Sequence, residues 1–160
     1  SKNSKRQFSD HYKQIESFNN LDRKYNSAAR YFADSVDEYS KGTDIIIDDL
    51  QTGKEYRIEA EGLFIPVSPA LHALMVISVE QNNKTIAWHG IPLWWYMTDK
   101  DSCRALNHVD FKYSEPGIVR IKSYYWNKEK ERFSYGEIAL KLKTNSLNSK
   151  DNDYVVSYGE

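Results

Sequence analysis

The chain has 160 residues, 40% of them hydrophobic and 14% aromatic, with seven glycines, four prolines and a formal net charge of −1. That length suits one domain able to bury a core without staples, and the composition excludes a largely disordered chain. A near-neutral charge offers no field to a polyanion, so no nucleic-acid partner is expected, and Cys103, the single cysteine, excludes an internal disulfide and any multi-cysteine zinc site.

Residues 1–10 are polar and basic and read as an N-terminal tail without the apolar core of a signal peptide. The start at Ser suggests a processed or excised segment. The stretch from Ser9 to Lys24 fits a helix or an opening strand equally. ARYFADSV and TDIIIDDL are strand candidates, followed by the turn LQTGKEY. EYRIEAEG then alternates Tyr56, Ile58 and Ala60 with Arg57, Glu59 and Glu61, the period of a strand with one wet face.

LHALMVISVE is apolar on both sides, as a central strand would be, and QNNK separates it from TIAWHGI in the pattern of a hairpin. In WHGIPLWWYM, Gly90 and Pro92 break regular structure and move Trp94, Trp95 and Tyr96 to a strand end or loop. IVRIKSYYW and RFSYGEIALKLK flank the polar NKEKE and predict a second hairpin. The residues from 144 onward are rich in Asn, Ser and Asp and read as a polar C-terminal tail, with DYVVSYGE able to dock as an extra strand. No apolar run approaches the roughly 20 residues that span a bilayer, so no membrane insertion of this segment is expected. Seven or eight such strands without alternating helices imply an all-β antiparallel sandwich over residues 11–143.

The order IESFNN, SAARYFADSVDEYSKGTDIIIDDL, TGKEYRIEAEG, ALMVISVEQNNKTIAWHGIPL and IVRIKSYYWNKEKERFSYGEIALKL resembles the galactose-binding-like jelly rolls, which include many carbohydrate-binding modules. It is particularly similar to a branch found in surface and envelope proteins of Bacteroidetes-type bacteria. The resemblance runs over residues 14–143. It implies a jelly-roll β-sandwich of two packed sheets, an extracytoplasmic (periplasmic or cell-surface) location, a glycan or polysaccharide partner, and other domains of a larger surface protein as neighbours. Such modules often hold a structural calcium between carboxylates of the first and last strands. Here Phe18-Asn19 and Gly136-Glu137 stand at those places, and losing one carboxylate weakens a site for a hard cation. A structural calcium is therefore possible but not favoured, and no cofactor is expected.

On an extended β-strand Ile121, Ser123 and Tyr125 share one face, and Lys122, Tyr124 and Trp126 share the other. Two readings stand for the second set. It covers the sheet, or it forms a platform on which the axial C–H face of a sugar stacks while polar neighbours hold its hydroxyls. The candidate binding residues are therefore Trp94, Trp95 and Trp126 for stacking, with Tyr124, Lys122 and His89 as polar or secondary contacts. Asp34, Asp37, Glu38, Asp44, Asp48 and Asp49 match no cation loop and read as a solvated edge. The four histidines, at 11, 72, 89 and 108, lack metal-ligand spacing, so no metal site is expected.

No nucleophile elbow, phosphate loop or dinucleotide fingerprint occurs. Glu59 and Glu61 lie about 7 Å apart on one strand face, which any alternating strand would produce. The sequence therefore predicts a non-catalytic carbohydrate-binding module. Its rivals are a structural protein–protein module and a glycan-acting hydrolase.

Overall fold

A computed structural model describes residues 37–67, 69–99 and 102–144 in full, and the backbone alone of 31–33 and 153–158. The alternative of a helix or strand before Lys24 lies outside the described residues. The described residues form nine strands: β1 (Tyr31–Ala33), β2 (Thr43–Ile47), β3 (Glu55–Pro66), β4 (Leu74–Gln81), β5 (Lys84–Pro92), β6 (Cys103–Lys112), β7 (Val119–Trp126), β8 (Phe133–Thr144) and β9 (Asp153–Tyr158). All pairings are antiparallel. Sheet one has the order β1-β8-β3-β6, with β9 also on β8, and sheet two has the order β2-β7-β4-β5. That order is a jelly roll, because neighbouring strands come from opposite ends of a folded-over chain and all successive strands except β4–β5 and β8–β9 change sheet.

The alternation of side chains builds the core. β2, β6 and β7 each place every second residue inside, as Ile45 and Ile47, Ala105 and Phe111, and Ile121 and Tyr125 do. β4 is apolar on both faces, with Met75, Ile77 and Val79 fully buried towards sheet one and Val76 fully buried on the opposite side. The hairpin expected at QNNK is present: Gln81 pairs with Lys84, and Asn82 and Asn83 adopt φ of 52° and 62°, the left-handed pair that a two-residue loop requires.

β8 shows how a parity problem is solved. Its inward residues are Leu142, Leu140 and Ile138 at even numbers, then Tyr135 and Phe133 at odd ones. The change occurs where β3 advances from Gly62 to Phe64 while its partner moves from Ile138 to Tyr135, so β8 carries one extra residue. The resulting bulge turns both halves of β8 towards the core.

The second expected hairpin is corrected. The β7 strand pairs with β2 and β4, and β8 pairs with β3, β1 and β9, so NKEKE joins the two sheets as an arch. A polar turn between two apolar runs looks the same in sequence for an arch and a hairpin; here strands remote in sequence already occupy both edges of each strand. Asn127, 2% exposed, shapes the arch: its amide N–H2 donates to the Glu131 carbonyl at 2.7 Å and its Oδ1 accepts the Glu131 N–H at 2.9 Å. The sequence reading also passed over β6. Its inner row of Cys103, Ala105, Asn107, Val109 and Phe111 is strictly periodic, but small and polar members mute the apolar signal.

At the centre, the Tyr125 ring is fully buried against Phe133 and Tyr135, and its hydroxyl donates to the Leu63 carbonyl at 3.3 Å. Gly62 makes room for that hydroxyl, since a Cβ there would stand 2.2 Å from the oxygen. Gly62→Ala is therefore expected to destabilise by about 1–3 kcal/mol through overpacking, and Tyr125→Phe by about 1 kcal/mol. With the hydroxyl gone, the next atoms lie at 3.2 and 3.3 Å, so the double variant should cost less than the sum of the two. Urea unfolding of the four proteins checks the cycle, and strict additivity would contradict it.

Candidate functional site

The outer face of sheet two is built from three cross-strand rows. Trp88, Ser78, Lys122 and Asp44 form one; Gly90, Val76 and Tyr124 the next; Pro92, Leu74 and Trp126 the third. Tyr39 extends the third row by an isolated bridge to Trp126, held in place because Ser40 N–H donates to the Tyr125 carbonyl at 3.0 Å and Ser40 Oγ accepts the Tyr125 N–H at 2.8 Å.

The rings form a connected panel. Tyr39 is offset-stacked on Trp126, with centroids 6.1 Å apart and planes 8° apart, and meets Tyr124 edge-on at 5.9 Å. Trp88 meets Trp126 edge-on at 6.3 Å. Gly90 makes this last contact possible. The Trp88 indole leans across its bare backbone, so that a Cβ at position 90 would stand 2.9 Å from the ring and 3.3 Å from Leu74. Trp88 is 45% and Tyr39 58% exposed, while Tyr124 and Trp126 are half-buried.

Charged groups frame the panel. The Trp126 indole N–H donates to Glu38 at 3.1 Å, and that bond together with the Tyr39 hydroxyl holds the Glu38 carboxyl below its ordinary value. Lys128 Nζ lies 4.8 Å from the Trp126 ring centre, in cation–π range. Lys122 pairs with Glu80 at 3.3 Å, and Arg120 grips Asp44 through two hydrogen bonds of 2.8 and 2.6 Å, which depresses the Asp44 carboxyl. β2 is an edge strand of its sheet, so the exposed charge of Asp44 stands at a sheet margin. A depression of about 300 Å³ beside the panel is lined by Tyr39, Gly42, Asp44, Lys122 and Tyr124.

The six residues singled out in the sequence fall into three places. Lys122, Tyr124 and Trp126 lie together on the panel. Trp94 and Trp95 stand on a single 3-10 turn (Leu93–Tyr96) just after β5, edge-on to each other at 6.2 Å, and are 54% and 59% exposed. Pro92, which leads into that turn, shares its row with Trp126. His89 separates from both groups. As the neighbour of Trp88 on a pleated strand it projects from the opposite face, where its Nδ1 meets Asn107 Oδ1 at 2.6 Å at the seam between the sheets. Sequence reasoning left Trp88 and Tyr39 out of the site. Trp88 stands two residues before a glycine on a hairpin strand, a spacing that marks a ring lying on backbone. Tyr39 sits among acidic residues and carries no such sign.

Across the sandwich, the Glu59 carboxylate pairs with Lys143 at 2.9 Å and that of Glu61 with Arg104 at 2.9 Å. Burial pushes the Glu61 carboxyl up. Each carboxylate is thus paired with its own cation.

No family model and no curated protein matches the chain. Among solved structures, the C-terminal domain of EclA, a sugar-binding protein, is similar with a TM-score of 0.40 and 11% identity over 72% of this chain and 80% of that one. The assignment of a sandwich rests on the two antiparallel sheets themselves. No helix among the described residues is long and apolar enough to cross a membrane.

Asn107 is the polar link at the seam: its amide donates to the carbonyls of Met75 at 3.0 Å and His89 at 2.9 Å, and its oxygen accepts the His108 N–H at 2.8 Å. Asn107→Ala is expected to cost about 2–3 kcal/mol by orphaning these groups. Chemical denaturation measures it, and a loss below about 0.5 kcal/mol, the range of an ordinary surface substitution, would show that the seam is held elsewhere.

Proposed function

We propose that this chain is a non-catalytic jelly-roll module that binds carbohydrate on the aromatic face of its second sheet, as part of an extracytoplasmic or envelope protein. The observation that carries the reading is the panel of Trp88, Trp126, Tyr39 and Tyr124, in which two rings are about half exposed and are fixed by contacts with the others. A pyranose presents an apolar C–H face ringed by hydroxyls. Flat rings held on a rigid sheet supply the complement to that face at little cost in conformational entropy. Lys122, Asp44 and Glu80 stand beside the rings with donors and acceptors for hydroxyls. An open panel suits a chain of sugars lying along it better than a single buried residue. Glycan is accordingly the proposed partner, and Trp88, Trp126, Tyr124, Tyr39 and Lys122 the proposed contacts.

Trp94 and Trp95 favour a second reading. Two adjacent, exposed indoles at the end of a sandwich make an anchor for another protein domain, since such rings are common centres of protein interfaces. The two readings separate by mutation. In affinity electrophoresis against a panel of soluble polysaccharides, with indole fluorescence as the second readout, Trp88→Ala should weaken retardation about tenfold or more, while Trp95→Ala leaves it within about twofold. If no polysaccharide retards the wild-type protein, the carbohydrate reading fails. If retardation survives Trp88→Ala and disappears with Trp95→Ala, the binding face is the end turn instead.

A further inference from the structure

The arch between β7 and β8 meets the chain entering β4 at a cluster that the panel does not use. His72 Nδ1 lies 2.5 Å from Glu131 Oε1 and 3.1 Å from Glu129 Oε2, and one donor atom from each of the three residues falls within 4.8 Å of the others. We propose that His72, Glu129 and Glu131 form a binding site for a divalent transition metal of the zinc type, which ties the inter-sheet arch to the start of β4.

Three features carry the proposal. The donor set is one imidazole nitrogen and two carboxylates, which suits zinc and its neighbours better than calcium or magnesium, whose shells are built of oxygen. The spacing is near what a tetrahedral ion needs, because metal–ligand bonds of about 2.0–2.1 Å place donors about 3.3 Å apart. Reaching that value takes about 0.2 Å between His72 and Glu129 and about 0.8 Å between His72 and Glu131, most of it open to the exposed His72 ring.

The third feature is rigidity. His72 stands between Leu71 and Ala73, each 1% exposed, and its own N–H donates to Glu131 Oε2 at 2.9 Å. Glu131 is fixed from behind by the two hydrogen bonds of buried Asn127, and the Asn127 N–H is itself anchored on the Glu38 carbonyl at 2.7 Å. Two of the three donors are therefore positioned before any ion arrives, and supports of this kind raise metal affinity by fixing ligand orientation. The cluster faces solvent, so an ion has open access and a fourth position is left for water. His72 is far in sequence from the Glu129–Glu131 pair, so motif spacing could not announce the site.

Zinc titration of the chelator-stripped chain, read by calorimetry and by thermal unfolding, tests the site. The expected result is one equivalent bound per chain with a rise in Tm of several degrees. Glu129→Gln and His72→Gln, both at exposed positions, should each weaken binding about 100-fold or more and remove the rise, with the circular dichroism of the folded chain retained. His89→Gln should leave binding unchanged, which excludes the His89–His108 pair as the acceptor, their rings being 6.3 Å apart. No heat and no shift in Tm would mean that the cluster is an ion pair only and would overturn the proposal. Undiminished binding in both the Glu129 and His72 variants would overturn it equally.

Discussion

The pleat of β7 is the constraint on which the rest of the molecule depends. Val119, Ile121, Ser123 and Tyr125 point inward, and Arg120, Lys122, Tyr124 and Trp126 point outward, over eight consecutive residues. A slip of one residue against β2 or β4 would bury two cations and expose the central tyrosine, so the register is fixed by burial alone. The same choice decides the outer surface. Once Tyr125 is committed to the core, Tyr124 and Trp126 must lie outside, where β4 offers them only Val76 and Leu74 as a floor. Core and panel are thus two sides of one alternation.

Small residues let large ones keep that arrangement. Gly62 admits the Tyr125 hydroxyl on the inside and Gly90 admits the Trp88 indole on the outside. Gly42 lets the chain pass so close to Ser123 that any side chain would collide with its carbonyl oxygen. Polar groups act in the same economical way at the margins, with Asn107 closing the seam between β5 and β6 and Asn127 closing the arch. Neither asparagine stabilises by burying apolar area. Each satisfies backbone groups that the meeting of two sheets would otherwise leave without partners.

Much of the fold was legible in the sequence because it is periodic. EYRIEAEG, TDIIIDDL and the apolar run of β4 each state their exposure directly, and the Asn-Asn turn states its hairpin. Pairing was harder to read. The arch at NKEKE resembles a hairpin in every local respect, and what distinguishes it is the presence of β2 and β3, which are distant in sequence. β6 was passed over because Ala105 and Asn107 occupy inner positions where a reader looks for large apolar groups. The panel was half legible for the same reason: Lys122, Tyr124 and Trp126 follow from one strand's alternation, whereas Trp88 and Tyr39 join them only through cross-strand registers that no single segment contains. The converse holds for His89, which adjoins Trp88 in the chain and lies on the other side of the sheet.

The strand order also says something about how the molecule can be made. Tyr31 pairs with Tyr135, and Thr43 with Ser123, whereas only β4–β5 and β8–β9 join strands that follow one another. During synthesis, β1 and β2 must therefore wait unpaired until most of the chain has left the ribosome, and closing those distant pairs comes at a high entropic cost before any contact rewards it. Most of the jelly roll's pairings are thus long-range, the class of contact that forms slowly. Asp44 within β2, and Asp48 and Asp49 just after it, are charges of the kind that discourage an unpaired edge strand from pairing with another chain.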